Sequence, residues 1–212
     1  RGYLPPMPKL PFDAAEAIKH LSAADPILGE LILRKGECKL ILKPTKSLFE
    51  ALLNSIIYQQ LHAKAASSIH ERVLALFPRK HPTPEGLLAL SDEALRTAGL
   101  SRGKLASLHD LAAKTIDGTV PTFAAARKLS DEELIERLTA VRGIGPWTVH
   151  MLLIFRLGRP DILPTGDYAV RKGFQLLYKK RRDPSHEHMV KHTKHWRPYR
   201  TIASWYLWRS LE

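Results

Sequence analysis

The chain has 212 residues, which is enough for one large domain or two small, closely packed domains with a substantial core. Lys and Arg together number 33 against 21 Asp and Glu, giving a formal net charge of +12. This charge favours a polyanionic partner, and nucleic acid over an anionic membrane, because no segment is long and apolar enough to span a bilayer. The single cysteine, Cys38, excludes an internal disulfide and any zinc or iron–sulfur site built from cysteines, and it fits a reducing, intracellular compartment.

The N-terminal part of the chain changes from a proline-rich segment to helical patterns. Residues 1–12 contain four prolines, and we expect an extended arm on the surface. Helices are predicted over residues 13–24 and 26–33, and a basic, irregular segment over residues 34–45. No long alternation of apolar and polar residues indicates a β-strand. The predicted class is therefore all-α, with one folded domain over residues 13–212.

A helix beginning at Ser47 carries an apolar stripe and ends in a polar tip. The stripe predicts a buried face and consists of Phe49, Leu52, Leu53, Ile56 and Ile57. A second helix is predicted over residues 63–76. Polar residues between the two helices indicate an exposed tip, and its candidate contact residues are Gln60, Leu61 and His62. The alternative is an ordinary solvated connection between helices.

Two cations lie at the start of another predicted helix. Two short helices are expected within residues 82–100, and Ser101 can cap a helix that runs through residue 113. Arg102 and Lys104 fall in its first turn, where positive charge opposes the helix dipole. That placement is unfavourable for stability but suited to a phosphate contact. The alternative is two solvated surface charges.

Residues 130–158 predict a helix, a glycine hairpin and a second helix. Ser130 and Glu133 have the S-x-x-E form of a capping box, which indicates a helix start. Gly143 and Gly145 permit the positive φ of a tight turn and let a phosphate approach the backbone. The N–H groups at the following helix N-terminus would then face the anion. An ordinary helix–helix turn with a glycine cap is the alternative.

The second hairpin helix, residues 147–157, is apolar almost all round and is predicted to be buried. The loop over residues 158–166 then brings Asp167 to the start of another helix. Four histidines follow, but His188 and His192 lack the glutamate of an H-E-x-x-H motif, so no metal site is predicted there. A final helix over residues 199–211 holds the aromatic residues Trp205, Tyr206 and Trp208.

Four ordered motifs together resemble one protein family. V-R-G-I-G-P-W-T followed by L-P-x-x-D resembles the helix-hairpin-helix DNA glycosylase superfamily, with its Gly/Pro-rich loop and aspartate. The similarity is greatest to alkylpurine DNA glycosylases of the AlkA and yeast Mag type (DNA-3-methyladenine glycosylase II), and the QQLH stretch favours the fission-yeast Mag branch. The resemblance also extends over the stretches LFEALLNSIIYQQLHAKAA, GLSRGKLASLHDLA and WRPYRTIASWYLW.

The resemblance implies an all-α helix-hairpin-helix fold with two packed helical subdomains and the active-site cleft between them. It implies that Asp167 is the catalytic carboxylate, that Gln60 fills the gap left by a flipped nucleotide, and that Trp208 lines the base pocket. His62 departs from the serine of many relatives, which affects the groove contact. The implied phosphate clamp is Gly143, Gly145 and Thr148.

Further site residues follow from the chemistry of the substrate. Alkylated purines such as 3-methyladenine are positively charged, and electron-rich rings attract them. The candidate pocket walls are Trp147, Phe155 and Trp208, with a purely core role as the alternative. Asp167 suits a helix N-cap as well as catalysis, and both roles can hold at once.

The implied activity is that of a monofunctional glycosylase that leaves an abasic site in duplex DNA. Superfamily members that also cut the strand place a lysine where this chain has Trp147. The expected partner is double-stranded DNA with alkylated bases; the protein is expected to be a monomer without a membrane association. No cofactor is required, although the family implies a Na⁺ or K⁺ ion on the backbone of Thr139, Val141 and Ile144.

Three alternatives stay open at this stage. The first is a non-catalytic helix-hairpin-helix DNA-binding module. The second is a bifunctional glycosylase/lyase for oxidised bases, which Trp147 and the absence of cluster cysteines disfavour. The third is a hydrolase that does not act on DNA. A eukaryotic source, favoured by the Mag resemblance, would place the protein in the nucleus, and a bacterial source in the cytoplasm.

Overall fold

The computed structural model describes residues 10–43, 45 and 47–212. Most of the predicted arm, residues 1–9, therefore lies outside the described residues. The described part contains thirteen α-helices and no β-strand, which confirms the all-α class. The helices are α1 (Ala14–Ala24), α2 (Pro26–Lys35), α3 (Leu48–Tyr58), α4 (Ala63–Ala75), α5 (Pro84–Leu88), α6 (Asp92–Thr97), α7 (Arg102–Ile116), α8 (Phe123–Ala126), α9 (Asp131–Thr139), α10 (Pro146–Leu152), α11 (Tyr168–Leu177), α12 (His186–His192) and α13 (Arg200–Arg209).

The chain divides into two compact units. The terminal unit contains the described residues of 1–44 together with 150–212, and the central unit spans residues 45–149. Among the described residues, no helix has both the length and the apolar character that crossing a bilayer requires.

The terminal unit is organised around a buried carboxylate, Asp25, which is 5% exposed. It caps α2 by accepting from Leu28 N–H, and it also accepts from Tyr178 Oη at 2.5 Å and Trp196 Nε1 at 2.9 Å. His195 Nε2 lies 3.1 Å from the same oxygen. These bonds join α2 to the ends of α11 and α12. Burial alone would raise the pKa of Asp25, but the hydrogen bonds lower it to about 2.

The core of the central unit is built on the apolar stripe predicted for α3. Every residue of that stripe is buried, as are Leu105, Leu108 and Leu111 of α7. The helix α7 packs on α3 and α5. Because α7 also runs beside the loop that follows α9, its polar side chains reach the connecting segments of this unit.

Sequence signals for helix starts are confirmed at three positions. Ser47 accepts from Glu50 N–H, and Ser101 accepts from Lys104 N–H. Ser130 forms the complete capping box with Glu133. The Ser130 hydroxyl accepts from Glu133 N–H, and the Glu133 carboxylate accepts from Ser130 N–H. Side-chain oxygens thus satisfy donors that a helix N-terminus leaves without partners.

The second hairpin helix covers the predicted residues, but its last turn is not a regular α-helix. The regular helix α10 ends at Leu152, and residues Leu153–Leu157 form a wider, π-type turn. In a regular helix the Phe155 carbonyl would accept from Arg159 N–H. Instead, Arg159 N–H donates to the Leu153 carbonyl at 2.9 Å, and the Phe155 carbonyl accepts from Lys43 N–H at 2.8 Å. A contact with a distant segment therefore replaces the local helical bond.

Candidate functional site

Asp167 begins α11 and is fixed by two donors within the terminal unit. Its Oδ1 accepts from Val170 N–H at 2.9 Å and from Trp208 Nε1 at 2.9 Å. The backbone N–H of Asp167 donates to Pro164 O at 2.8 Å. The N-cap role is therefore confirmed. The indole bond adds a second constraint on the orientation of the carboxylate, which is partly buried.

One predicted pocket aromatic, Trp208, donates to this carboxylate, and a second, Phe155, stacks on Trp208. The rings of Phe155 and Trp208 stack with centroids 5.7 Å apart and planes inclined by 22°. Both side chains are partly buried rather than enclosed in the core. The terminal unit thus places a carboxylate at the edge of an aromatic pair. A carboxylate beside flat apolar rings can hold a planar cationic ligand.

Gly173 allows Trp208 to reach Asp167. The sequence pattern alone did not single out this glycine. A Cβ at Gly173 would lie 2.4 Å from Leu207 O, so only glycine permits this approach of α11 to α13. A glycine in the middle of a predicted helix carries a propensity cost of about 1 kcal/mol, and this was the available signal.

The loop before Asp167 is anchored to α12. Thr165 is buried, and its hydroxyl shares a 2.5 Å hydrogen bond with His186 Nδ1. Burial, together with the charge of His186, lowers the pKa of His150. This anchoring joins the start of α11 to a second helix, which limits movement of the carboxylate.

The hairpin belongs to the central unit and exposes both of its glycines. Gly143 has φ +78°, and a Cβ there would lie 2.7 Å from Ser107 Oγ. Arg142 N–H donates to Asp110 Oδ2 at 2.7 Å. Burial would raise the pKa of Asp110, but hydrogen bonds from Arg142 and Lys114, together with their charges, lower it. The hairpin is thus bound to α7 by a carboxylate that stays ionised.

The start of α10 offers backbone donors rather than a hydroxyl. The Thr148 side chain is only 7% exposed, so its predicted role in the phosphate clamp rests on its main-chain N–H. First-turn N–H groups have no intrahelical acceptor, and a phosphate at this end would meet the positive end of the helix dipole.

The tip between α3 and α4 is exposed as predicted. Gln60 is exposed and has φ +56°, Leu61 is 39% exposed, and His62 is exposed at the start of α4. A non-glycine residue with positive φ is uncommon and often marks a functional position. The exposure fits a contact surface, and the roles of the three residues stay predictions.

Lys104, a predicted phosphate contact, is hydrogen-bonded within the protein, and its contact with DNA stays a prediction. Its Nζ donates to Ile57 O at 2.5 Å and to Gln59 O at 2.8 Å, at the carboxyl end of α3. Burial lowers the pKa of Lys104. The ammonium is directed into the protein because the last carbonyls of a helix attract cations. Arg102, by contrast, is exposed, and its DNA contact stays a prediction.

Trp147 is 49% exposed and belongs to the central unit. The structure thus brings Asp167, Phe155 and Trp208 together in one unit. It groups the tip, the hairpin and Trp147 in the other. The pocket role of Trp147 stays a prediction.

The predicted site for a monovalent cation would use main-chain oxygens around the hairpin. Val141 O accepts from Ile144 N–H at 3.0 Å, which leaves the second lone pair of this carbonyl for a cation. Neutral oxygens of this kind fit Na⁺ or K⁺. Among the described residues, no group of His, Cys, Asp or Glu side chains could hold a metal ion.

The chain is similar to known DNA repair proteins along most of its length. The model of a family described as HhH-GPD superfamily base excision DNA repair protein matches residues 53–198. DNA-3-methyladenine glycosylase 1 of Schizosaccharomyces pombe is 39% identical over 197 residues, which cover 90% of this chain and 85% of that protein.

Two solved structures are similar along most of the chain. A 3-methyladenine DNA glycosylase from S. pombe in complex with abasic DNA matches with a TM-score of 0.75 and 38% identity, covering 92% of this chain and 95% of that one. A DNA-3-methyladenine glycosidase from Bacillus halodurans matches with a TM-score of 0.83 and 37% identity, covering 91% and 88%.

Proposed function

Because the chain belongs to the HhH-GPD superfamily of base excision DNA repair proteins, we propose that it is a DNA glycosylase for alkylated purines. It hydrolyses the N-glycosidic bond of bases of the 3-methyladenine and 7-methylguanine class in duplex DNA and leaves an abasic site. The observation that carries this proposal is Asp167, held by two hydrogen bonds beside the Phe155–Trp208 pair. The similarity of the whole chain to DNA-3-methyladenine glycosylases supports the substrate class.

The reaction requires the target nucleotide to leave the duplex. A stacked base cannot reach a carboxylate on a protein, so the nucleotide is flipped out. An alkylated purine pairs poorly, which lowers the cost of flipping. Gln60, on the exposed tip, enters the gap in the stack, and Trp208 stacks on the cationic base.

Asp167 stabilises the positive charge that develops on the sugar. Departure of the base breaks the bond between the anomeric carbon and the purine nitrogen, and the electron pair leaves with the base. The sugar becomes oxocarbenium-like, and a nearby carboxylate lowers its energy. Water then adds to the anomeric carbon and loses a proton, with Asp167 as the acceptor. Donors from Val170 and Trp208 keep the carboxylate oriented for both steps.

The hairpin holds the DNA backbone without reading its sequence. The exposed main chain at Gly143 and Gly145 and the N–H of Thr148 bind a phosphate, and Arg102 adds positive charge. Leu61 and His62 contact the minor groove beside Gln60. A monovalent cation on the hairpin carbonyls would add positive charge at the phosphate; the hydrolysis itself requires no cofactor. In a eukaryote the protein would act in the nucleus, as a monomer.

Strand cleavage is not part of the proposed activity. Lyase chemistry forms a Schiff base between an amine and the sugar, and Trp147 occupies the position at which the resemblance would require lysine. Borohydride reduction should therefore trap no covalent adduct between the protein and DNA. A trapped adduct would support the bifunctional alternative.

The decisive experiment compares the wild type with Asp167→Asn. Both are mixed in excess with methylated duplex DNA, and the released base is quantified. Asn still caps a helix and accepts hydrogen bonds, so folding and DNA binding should persist while base release falls at least about 100-fold. DNA binding without release by either protein would instead support a non-catalytic DNA-binding module. Near-wild-type release by Asp167→Asn would exclude the proposed role of this residue.

A further inference from the structure

One face of α7 contacts both DNA-facing segments of the central unit. Lys104, Ser107 and Asp110 follow each other at intervals of three residues, which places them on the same side of the helix. Lys104 bonds to the end of α3 at Ile57 and Gln59. Ser107 lies against Gly143, and Asp110 accepts from the hairpin backbone. A single helix therefore contacts the tip through its first turn and the hairpin through its middle.

Lys104 secures the residue that precedes Gln60. Its Nζ donates to Gln59 O at 2.8 Å and to Ile57 O at 2.5 Å. The chain then enters the left-handed region, with Gln60 at φ +56°. Such a conformation persists only when its surroundings hold it in place. Lys104 provides that hold from inside the protein, where its ammonium is occupied by carbonyl oxygens.

Gln59 joins the tip directly to the hairpin. Its side-chain Nε2 donates to Gly143 O at 2.8 Å, although the two residues are 84 positions apart in sequence. Gly143 belongs to the segment proposed to bind phosphate. A displacement of the tip would therefore pull on the phosphate-binding backbone through one hydrogen bond.

We propose that Lys104 and Gln59 are positioning residues that couple insertion of Gln60 into the duplex to the grip of the hairpin on the phosphate backbone. The proposal rests on the glycosylase function proposed above. Lys104 contacts carbonyls and not DNA, and Gln59 transmits the position of the tip to Gly143. The two residues act as one device, because both restrain the peptide that precedes Gln60.

The coupling role differs measurably from a phosphate contact. Each phosphate contact adds about 0.9 to the slope of log affinity against log salt concentration. Lys104→Met should therefore leave that slope and the affinity for undamaged duplex unchanged. It should reduce flipping, followed by 2-aminopurine fluorescence beside the lesion, by about tenfold, since a hydrogen-bonded charge no longer holds the tip.

The full experiment uses the intact chain with five variants, of which Lys104→Met is the first. Lys104→Arg retains donors for the two carbonyls and should restore part of the flipping. Gln59→Met removes the bond to Gly143, and the double variant with Lys104→Met should be little slower than either single variant. Lys128→Met is the matched control, because it removes an exposed lysine elsewhere in the central unit. Flipping by this variant should be unchanged.

The outcomes separate this inference from the function on which it rests. If the wild type releases methylated base and Lys104→Met flips the nucleotide as the wild type does, the proposed coupling is wrong and the glycosylase function stands. If Lys104→Met lowers the slope of log affinity against log salt concentration by about one unit and nucleotide flipping is normal, Lys104 is a phosphate contact. A wild type that releases no base would overturn both proposals. Should Lys104→Met fail to fold, Gln59→Met tests the same link without altering the carbonyl contacts at the end of α3.

Discussion

Replacing Trp208 by Phe separates two functions of one side chain. Phe keeps an aromatic ring against Phe155, but it lacks the Nε1–H that donates to Asp167 Oδ1 at 2.9 Å. If that bond orients the carboxylate, the variant should release base slowly while its affinity for DNA changes little. If Trp208 acts only through stacking, the substitution should mainly weaken the binding of damaged DNA.

The size of the effect follows from the contacts of Asp167. A hydrogen bond to a charged group contributes about 1.5–3 kcal/mol. The lower part of this range applies because the site is partly open to solvent and Val170 N–H still holds the same oxygen. A loss of about 1.5–2 kcal/mol from transition-state stabilisation corresponds to base release slowed about 10- to 30-fold. Removing the carboxylate itself should cost more.

The assay is single-turnover release of methylated purine under enzyme excess, with DNA affinity measured in parallel. Trp205→Phe is the matched control, since this second indole on α13 contacts Tyr206 and the Arg209 guanidinium. It should release base at the wild-type rate. Wild-type release by Trp208→Phe would refute the orienting role of the indole. A loss confined to affinity would leave stacking as its contribution.

Two further predictions concern the packing of the terminal unit. Gly173→Ala should lower the free energy of unfolding by about 1–3 kcal/mol and slow base release. The added Cβ would lie 2.4 Å from Leu207 O and push α13 away from Asp167. A free energy of unfolding in urea equal to that of the wild type would contradict this. Asp25 has a folded pKa of about 2, below its unfolded value of about 3.9. Its stabilisation of about 3 kcal/mol should therefore be present above pH 4 and lost as the pH falls towards 2. Asp25→Asn should flatten that acid limb in urea unfolding, and an equally steep limb would show that Asp25 is not responsible.

Local sequence signals predicted the parts of the fold that depend on neighbouring residues. Ser130 and Glu133 form a capping box because the required atoms lie within one helical turn. Asp167 was placed at the start of α11 for the same reason. The apolar stripe of α3 is buried because its spacing matches one helix face. Each of these features is specified within about ten residues.

Contacts between distant residues account for what the sequence did not reveal. The position of Lys104 in the first turn of α7 suggested a phosphate, whereas the competing acceptors at Ile57 and Gln59 lie more than forty positions earlier. Likewise, the π-type turn at Phe155 depends on a hydrogen bond from Lys43. A pattern along the chain shows which groups need partners, but it does not identify a partner that only folding brings near.

The helix-cap role of Asp167 and the catalytic role proposed for it support each other physically. Its hydrogen bond from Val170 N–H belongs to the helix cap, so the carboxylate is held by α11 before any substrate binds. The bond from Trp208 then ties the same oxygen to α13, whose approach depends on Gly173. A catalytic carboxylate must be placed before charge develops on the sugar, because reorganisation during the reaction would raise the barrier. The interactions that stabilise the start of α11 would therefore also prepare the proposed site for catalysis, and weakening either helix contact should reduce stability and rate together.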